Sequence, residues 1–327
     1  SGPQVGKFMG GVLGADSLLY LIPSNAPSVL QLAQPVEEGA GATPGSRRLR
    51  AVDLGAGGID GTFKWLDAIL AANGSIYCIP FNAPRVLRID TTTSPPAVRA
   101  IGPELAGECK WHGGALGSDG AVYGMPHAAG RVLRIDPDSN TVALIGPDFG
   151  STRGRCKWSS CCVAADGVLY GVPDSSTEVL RITPATATRG ASVDTIGSDL
   201  GIDTTDGKWI GAILAPNGCI YGIPFNATRV LKIDVPHGEV STVGMELVAP
   251  LVGKANGCKW HGGHLAEDGC IYGVPFNATR VLKVNPAYKE EEACVGLVGE
   301  PFRDGGVKWS GGAIAPNGLI FAAPFGA

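Results

Sequence analysis

Apolar and polar residues alternate along this chain in short runs, and the same series of runs returns seven times. In the copy at 208–234, an apolar stretch (Ile210 to Leu214) is cut by Asn217-Gly218. Ile220-Tyr221-Gly222-Ile223-Pro224 follows, and Arg229-Val230-Leu231-Lys232-Ile233-Asp234 alternates polar with apolar. A period of two over five or six residues, broken by Asn-Gly or Asp-Gly, predicts strands joined by tight hairpins. The turn pair recurs at Asn73-Gly74, Asp119-Gly120, Asp166-Gly167, Asn217-Gly218, Asp268-Gly269 and Asn317-Gly318. Each copy therefore predicts strand a after a tryptophan, strand b ending in proline, strand c of the Val-Leu-Lys-Ile-Asp type, and strand d ending in Ile-Gly, as at 141–146 and 192–197. Segments of helical period are absent.

Fixed residues set the copies in register. A lysine stands at Lys7, Lys64, Lys110, Lys157, Lys208, Lys259 and Lys308, and a proline follows 16 residues later in every copy, from Pro23 to Pro324. All six tryptophans (Trp65, Trp111, Trp158, Trp209, Trp260, Trp309) follow that lysine, and the first copy has Phe8 there. Six of the seven tyrosines share one slot, from Tyr20 to Tyr272; the seventh copy has Phe321. Successive lysines are 57, 46, 47, 51, 51 and 49 residues apart. About 50 residues and four antiparallel strands per unit is the signature of a propeller blade. The expected fold is all-β: a seven-bladed β-propeller of four-stranded antiparallel blades, one domain spanning 1–327. The last blade is incomplete, because the seventh copy reaches Ala327 without strands c and d. The alternative is six closed blades with the last hairpin packed elsewhere.

The order of apolar strand, Asp-Gly turn, Ile-Tyr-Gly strand and Val-Leu-Lys-Ile-Asp strand resembles the NHL and virginiamycin-lyase type of propeller. The chain lacks the Gly-His and Trp-Asp pairs of WD40 repeats, whose architecture it would otherwise share. Kelch repeats place glycine pairs before their tryptophan, the reverse of Gly113-Gly114 and Gly262-Gly263 here. The resemblance covers the whole chain and implies the architecture; through its lyase members it also raises chemistry in a central pit.

Composition narrows the picture. Glycine (49) and proline (24) are abundant without a Gly-X-Y period, and charged residues make up only 17%. That combination fits many short strands and turns, not collagen or disorder. A net charge of −4 gives no reason to expect nucleic acid as a partner, and no apolar run is long enough for a membrane helix. No signal peptide is visible, and Ser1-Gly2-Pro3 reads as a protease-cleavage remnant. The nine cysteines are odd in number, form no zinc-type pair and mostly occupy repeat-equivalent slots. This favours small buried side chains and a reducing compartment such as the cytoplasm, with secretion left open. Asn73, Asn226 and Asn277 lie in glycosylation-type triplets, but two belong to the repeat and read as turn residues. The connection 35–61, Gly/Ala-rich at 39–45 and carrying Arg47, Arg48 and Arg50, is expected to be a mobile loop.

Because a and b form a hairpin, the start of a and the end of b share one face. That face is expected to gather Lys64, Lys110, Lys157, Lys208, Lys259 and Lys308, Trp65, Trp111, Trp209 and Trp260, and Arg85, Arg131, Arg229 and Arg280. Clustered cations concentrate positive potential, and arginine gives two-pronged contacts to carboxylate, sulfate or phosphate. The competing architectural reading pairs each lysine with a local acid (Glu104, Glu108, Asp148, Asp199, Asp206, Glu300, Asp304) and wedges each tryptophan between blades. Residues that break the repeat are the candidate catalytic groups: Asp67 in place of the strand-a glycine, His112, His261 and His264 on strands a, with Cys161-Cys162, His127, Asp174 and Glu178 as further departures. Asp67 with His112 would make an acid–base or divalent-metal pair in the pit; no cofactor is otherwise expected.

The sequence thus favours a non-catalytic binding or scaffold propeller that offers its Lys/Trp/Arg face to a protein partner or an anionic small molecule. The alternatives are a hydrolase or lyase working in the central pit, and a lectin that stacks sugars on exposed tryptophans. The chain shows no P-loop, nucleophile elbow, His-Glu-x-x-His or dinucleotide fingerprint.

Overall fold

The computed structural model describes residues 6–37, 47–152, 156–197, 200, 207–248, 257–288, 290, 292–302 and 306–326. Among these the chain is all-β: six four-stranded antiparallel sheets and a two-stranded seventh, the pattern of a seven-bladed propeller with an incomplete last blade. No helix is long and apolar enough to cross a membrane. The chain divides into two compact units, Ser1–Gly154 with Ala185–Thr188, and Arg155–Pro184 with Arg189–Ala327.

The first unit holds three blades. Blade 1 comprises β1 (Phe8–Leu13), β2 (Leu19–Pro23), β3 (Leu30–Glu37) and β4 (Arg47–Asp53). Blade 2 comprises β5 (Trp65–Leu70), β6 (Ser75–Pro80), β7 (Val86–Asp90) and β8 (Ala97–Ile101), and blade 3 β9 (Trp111–Leu116), β10 (Val122–Pro126), β11 (Val132–Asp136) and β12 (Thr141–Ile145). Tyr20, Ile22 and Val29 pack on Trp65, Ala68 and Ile76 of the next blade. Tyr77, Ile79 and Val86 repeat the arrangement against Trp111, Val122 and Leu133. The stability of such a stack rests on these neighbour interfaces.

The second unit holds four. Blade 4 comprises β13 (Trp158–Val163), β14 (Leu169–Pro173), β15 (Val179–Thr183) and β16 (Ser192–Ile196), and blade 5 β17 (Trp209–Leu214), β18 (Ile220–Pro224), β19 (Val230–Asp234) and β20 (Glu239–Val243). Blade 6 comprises β21 (Trp260–Leu265), β22 (Ile271–Pro275), β23 (Val281–Val284) and β24 (Val295–Val298), and blade 7 only β25 (Trp309–Ile314) and β26 (Ile320–Pro324). Its cores again join blade to blade: Tyr170, Val172 and Val179 meet Trp209, Ile220 and Leu231, and Tyr221, Ile223 and Val230 meet Trp260, Ile271 and Leu282.

Within each blade the strands follow chain order, and the strand pairing keeps the alternation of the sequence in register. Blade 6 pairs Ile271 with Val284, Tyr272 with Lys283 and Gly273 with Leu282. Slipping one residue would turn Val and Leu outward, so burial of one face fixes this pairing. The glycine that ends strand d also has a packing reason: Gly102 sits at φ +76°, and a Cβ there would stand 2.6 Å from the Val142 side chain of the next blade.

One expectation is corrected in part. Within the connection 35–61, residues 35–37 and 47–53 are strand, with Val36 paired to Arg48 and Glu37 to Arg47. The alternating Leu-Arg-Ala-Val of 49–52 is itself a strand pattern, masked by the neighbouring glycines. Residues 38–46 lie outside the described residues, as do Asp199, Asp206 and Asp304.

Candidate anion-binding site

Several blades begin with the same local solution. The residue before the lysine adopts a left-handed conformation in several copies (Phe63 at φ 49°, Cys109 and Cys258 at 51°). Its N–H is taken by an asparagine of the preceding blade: Asn25 Oδ1 accepts from Phe63, Asn82 Oδ1 from Cys109 and Asn226 Oδ1 from Cys258, at 2.7–2.8 Å. The asparagine at 226 is therefore the turn residue expected. The lysine carbonyl then accepts the N–H groups of its own b–c loop, as Lys64 does from Phe81 and Ala83.

The lysine and tryptophan side chains complete this joint. Lys64, Lys110, Lys157, Lys208, Lys259 and Lys308 are all buried. The Lys64 ammonium donates to the carbonyls of Ser24, Ala26 and Gly61 at 3.2, 2.7 and 3.2 Å. Lys110 donates to Phe81 and Gly107, Lys208 to Ser176, Lys259 to Asn226, and Lys308 to Asn277 and Gly306. Each such lysine fastens its blade to the b–c loop of the blade before. Lys64, Lys110 and Lys259 make no ion pair among the described residues, so the acids proposed as their partners are replaced by carbonyls. Burial pushes the Lys64 amine down, and those of Lys110 and Lys259 down to about 8.

Trp65, Trp111, Trp209 and Trp260 are 0–2% exposed, and each indole N–H donates to the carbonyl 20 residues on, that of Arg85, Arg131, Arg229 or Arg280, at 2.9–3.0 Å. The expectation that these indoles, and the ammonium groups of Lys64, Lys208, Lys259 and Lys308, meet a ligand is therefore corrected: the fold buries both because the loops leave carbonyls that need donors, while Lys110, equally buried, also lines a cavity. The same burial closes sugar stacking on Trp65, Trp111, Trp209 and Trp260.

The arginines behave differently. Their carbonyls serve the indoles while their side chains leave the joint: Arg85 and Arg131 are exposed, Arg229 and Arg280 half-buried. None of the four makes an ion pair among the described residues. In the first unit a cavity of about 550 Å³ opens on this face, lined by Gly107, Glu108, Cys109, Lys110, Ala128, Ala129, Ser151 and Thr152. Glu108, Cys109, Ser151 and Thr152 are groups that sequence reasoning did not select as ligand contacts; only the shared placement of the 106–110 and 151–152 loops brings them together. Burial pushes the Cys109 thiol up, helped by the Glu108 charge and opposed by Lys110.

The repeat-breaking residues make local contacts within each unit. Asp67 replaces the bulge glycine of strand a, and its carboxylate accepts the N–H groups of Ala68, at 2.8 Å, and of Gly114 on the next blade; burial lifts it to about 6. In blade 4 the same position is Ser160, whose hydroxyl accepts the Gly211 N–H of the next blade at 3.1 Å. His112 packs edge-on with Phe81 and His127, centroids 6.1 and 5.9 Å away. In the second unit His261 packs with Phe225 and Phe276 at 5.8 and 5.6 Å and faces the Ser310 hydroxyl at 3.4 Å. Burial lowers both His261 and His264, the latter opposed by a hydrogen bond to the Gly312 backbone. Among the described residues no group of three or more His, Cys, Asp or Glu side chains is placed to hold a metal ion.

Blade pattern, register and joint define a β-propeller. Solved structures with the same architecture include a streptogramin B lyase (TM-score 0.61, 11% identity, covering 98% of this chain and 91% of that one). A virginiamycin B lyase from Staphylococcus aureus, solved with quinupristin, is similar at TM-score 0.56 and 10% identity over 98% of this chain and 86% of that one. The extracellular domain of a hybrid two-component system from B. thetaiotaomicron gives TM-score 0.61 and 9% identity over 97% of this chain and 39% of that one. No protein-family model matches the chain, and no curated protein matches it. At these identities the likeness is one of fold, and an enzyme and a receptor domain share it.

Proposed function

We propose that this propeller is a non-catalytic binding module that holds an anionic small molecule in the cavity beside Lys110, with Arg131 at its rim. The observation that carries the reading is a cavity of about 550 Å³, within the range of about 300–1,000 Å³ usual for small-ligand sites, with a buried ammonium in its wall. Two N–H groups of Lys110 are directed at Phe81 and Gly107 carbonyls; the third is left for a ligand. Arg131 follows the Ala128-Ala129 wall by two residues and has no carboxylate partner among the described residues. Guanidinium and ammonium together suit phosphate, sulfate or carboxylate.

Thermal unfolding against phosphate, sulfate and citrate tests the proposal, since a ligand of the folded state raises the midpoint with concentration. Dose-dependent stabilisation that weakens in Arg131→Gln and Ser151→Ala supports it. An anion beside Lys110 would also raise its pKa from about 8, so binding near that pH takes up protons, visible as buffer-dependent heat in calorimetry. Stabilisation unchanged by both substitutions would overturn the site.

A second reading, a lyase or hydrolase, draws on Asp67, whose carboxyl titrates near 6 and so could carry a proton at working pH. Turnover abolished by Asp67→Asn, in a variant that remains folded, would favour it.

A further inference from the structure

Blades 2 to 6 place a cation opposite the tyrosine of strand b: Arg88 opposite Tyr77, Arg134 opposite Tyr123, Arg181 opposite Tyr170, Lys232 opposite Tyr221 and Lys283 opposite Tyr272. In blades 3 and 6 that cation and the tyrosine hydroxyl meet on one carboxylate oxygen of the a–b turn. Asp119 Oδ2 accepts from Tyr123 at 2.8 Å and Arg134 at 3.1 Å, and Asp268 Oδ2 from Tyr272 at 2.8 Å and Lys283 at 3.3 Å. Blade 1 has the same aspartate and tyrosine, but Gln31 stands opposite Tyr20. Asp16 Oδ2 accepts from the Tyr20 hydroxyl at 2.7 Å and from the Gln31 amide at 3.3 Å. The carboxylate keeps its position and loses its counter-charge: Asp16 makes no ion pair among the described residues.

A cavity of about 460 Å³ opens beside this exchange, between the a–b turn and outer strands of blade 1 and the 91–96 loop of blade 2. It lies at the opposite end of the strands from the Lys110 cavity, within the same unit. Its polar lining is rich in acceptors whose own protons are already spent. Gln31 is only 8% exposed. A carboxylate can only accept, so the Gln31 amide nitrogen faces Asp16, and it also donates to Tyr20 at 2.9 Å. The amide oxygen is left over and accepts no hydrogen bond among the described residues. The Thr91 and Thr92 hydroxyls donate to the Gly74 carbonyl and the Asp90 carboxylate, at 2.6 and 2.7 Å. Leu18, Leu54, Pro95 and Pro96 supply apolar wall, and no lysine or arginine lines the cavity.

We propose that this cavity binds a small organic cation, a primary ammonium on an apolar body, whose charge takes at Asp16 the place that Arg134 and Lys283 fill in their own blades. An ammonium carries donors only and so matches the acceptors that Asp16, Gln31 and the threonines leave. Bonds from a charged donor to a carboxylate are about twice as strong as neutral ones. The leucine and proline walls take the apolar body, and the volume falls within the range of about 300–1,000 Å³ usual for small-ligand sites. An anion would meet the Asp16 charge with no lining cation to offset it, which sets this cavity apart from the one beside Lys110. The exchange at 31 has a reason in this light: a lysine or arginine there would bond Asp16 itself, as Lys283 bonds Asp268.

Titration calorimetry of the full chain with phenethylammonium tests this, with 2-phenylethanol as the probe of the same body without the charge. Saturable binding of the amine is expected, at least about tenfold tighter than that of the alcohol, because a bond to a charged group is lost. Asp16→Asn should weaken the amine by a similar factor. Gln31→Lys should abolish its binding while leaving the unliganded thermal midpoint equal or higher, because the new cation fills the slot from within. Both exchanges install residues the repeat already uses, asparagine at Asn73 and Asn217 and lysine at Lys232 and Lys283, and circular dichroism checks the fold of each. Absence of saturable amine binding, equal binding of amine and alcohol, or amine binding undiminished in both variants overturns the proposal. Arg131→Gln should leave amine binding unchanged, so this site and the anion site succeed or fail separately.

Discussion

Lys64→Met tests whether the repeated lysine is a structural donor. Methionine keeps the length and apolarity of the stem and removes the ammonium. Of the three carbonyls around Nζ, that of Ser24 keeps a donor, the backbone N–H of Lys64 at 3.1 Å, while those of Ala26 and Gly61 lose the donor that Nζ supplies. The Ala26 carbonyl is buried, and a buried polar group left without its partner costs about 1–3 kcal/mol, whereas the exposed Gly61 carbonyl can bond water. Part of this is offset, because the substitution also removes a buried ammonium whose lowered pKa reports its loss of hydration. The net expectation is a destabilisation of about 1–2 kcal/mol. Urea unfolding monitored by tryptophan fluorescence measures it, with Lys7→Met as control, since the lysine of blade 1 is exposed. A Lys64→Met midpoint equal to that of Lys7→Met would refute the reasoning and return the lysines to the surface role.

Three further outcomes follow from burial and backbone geometry. Lys259 titrates at about 8 in the folded chain, well below an ordinary lysine, so the unfolded chain holds more protons between the two values. Stability therefore rises with pH across that window, and Lys259→Met should flatten the rise in unfolding measured at successive pH values. Asp67 has the opposite sign: its folded pKa of about 6 lies above the ordinary carboxylate value. Its contribution is fully present at low pH and is lost as pH rises through about 6, so Asp67→Asn should gain on the wild-type chain between about pH 4 and pH 7. Gly102→Ala forces a side chain into a left-handed backbone at φ +76° and against Val142 of the next blade; chemical denaturation should show a loss of about 2–4 kcal/mol.

The architecture was legible because its signals are local and repeated. A turn such as Asn217-Gly218, a proline at a fixed interval and a two-residue alternation each act within one blade, and seven copies average out the exceptions. The working surface was not legible in the same way. Lysine is ordinarily exposed, so seven lysines at the head of strand a read as a positive face; only the three-dimensional path of the b–c loop shows the carbonyls of Ser24 and Ala26 turned toward Lys64. The tryptophans carried a usable clue, since an indole present in almost every copy serves what every copy needs. The cavity beside Lys110 carried none, because its walls come from two d–a loops and a b–c loop that no spacing rule joins.

Invariance across the repeat is therefore an argument for architecture, and departure from it is not by itself an argument for function. Asp67 and Ser160 both replace the glycine of the strand-a bulge, and both turn out to accept a backbone N–H of the next inner strand. The side chain replaces conformational freedom with a bond across the blade boundary. His264 makes a comparable contact with the Gly312 backbone. Once these bonds are assigned, the Arg131 head and the third N–H of Lys110 remain without an acceptor among the described residues, and Lys110 lines the cavity. If the fold alone accounted for them, exchanging Arg131 for a neutral residue would leave anion affinity unchanged. The ligand assays, and not the stability assays, separate what the propeller is from what it binds.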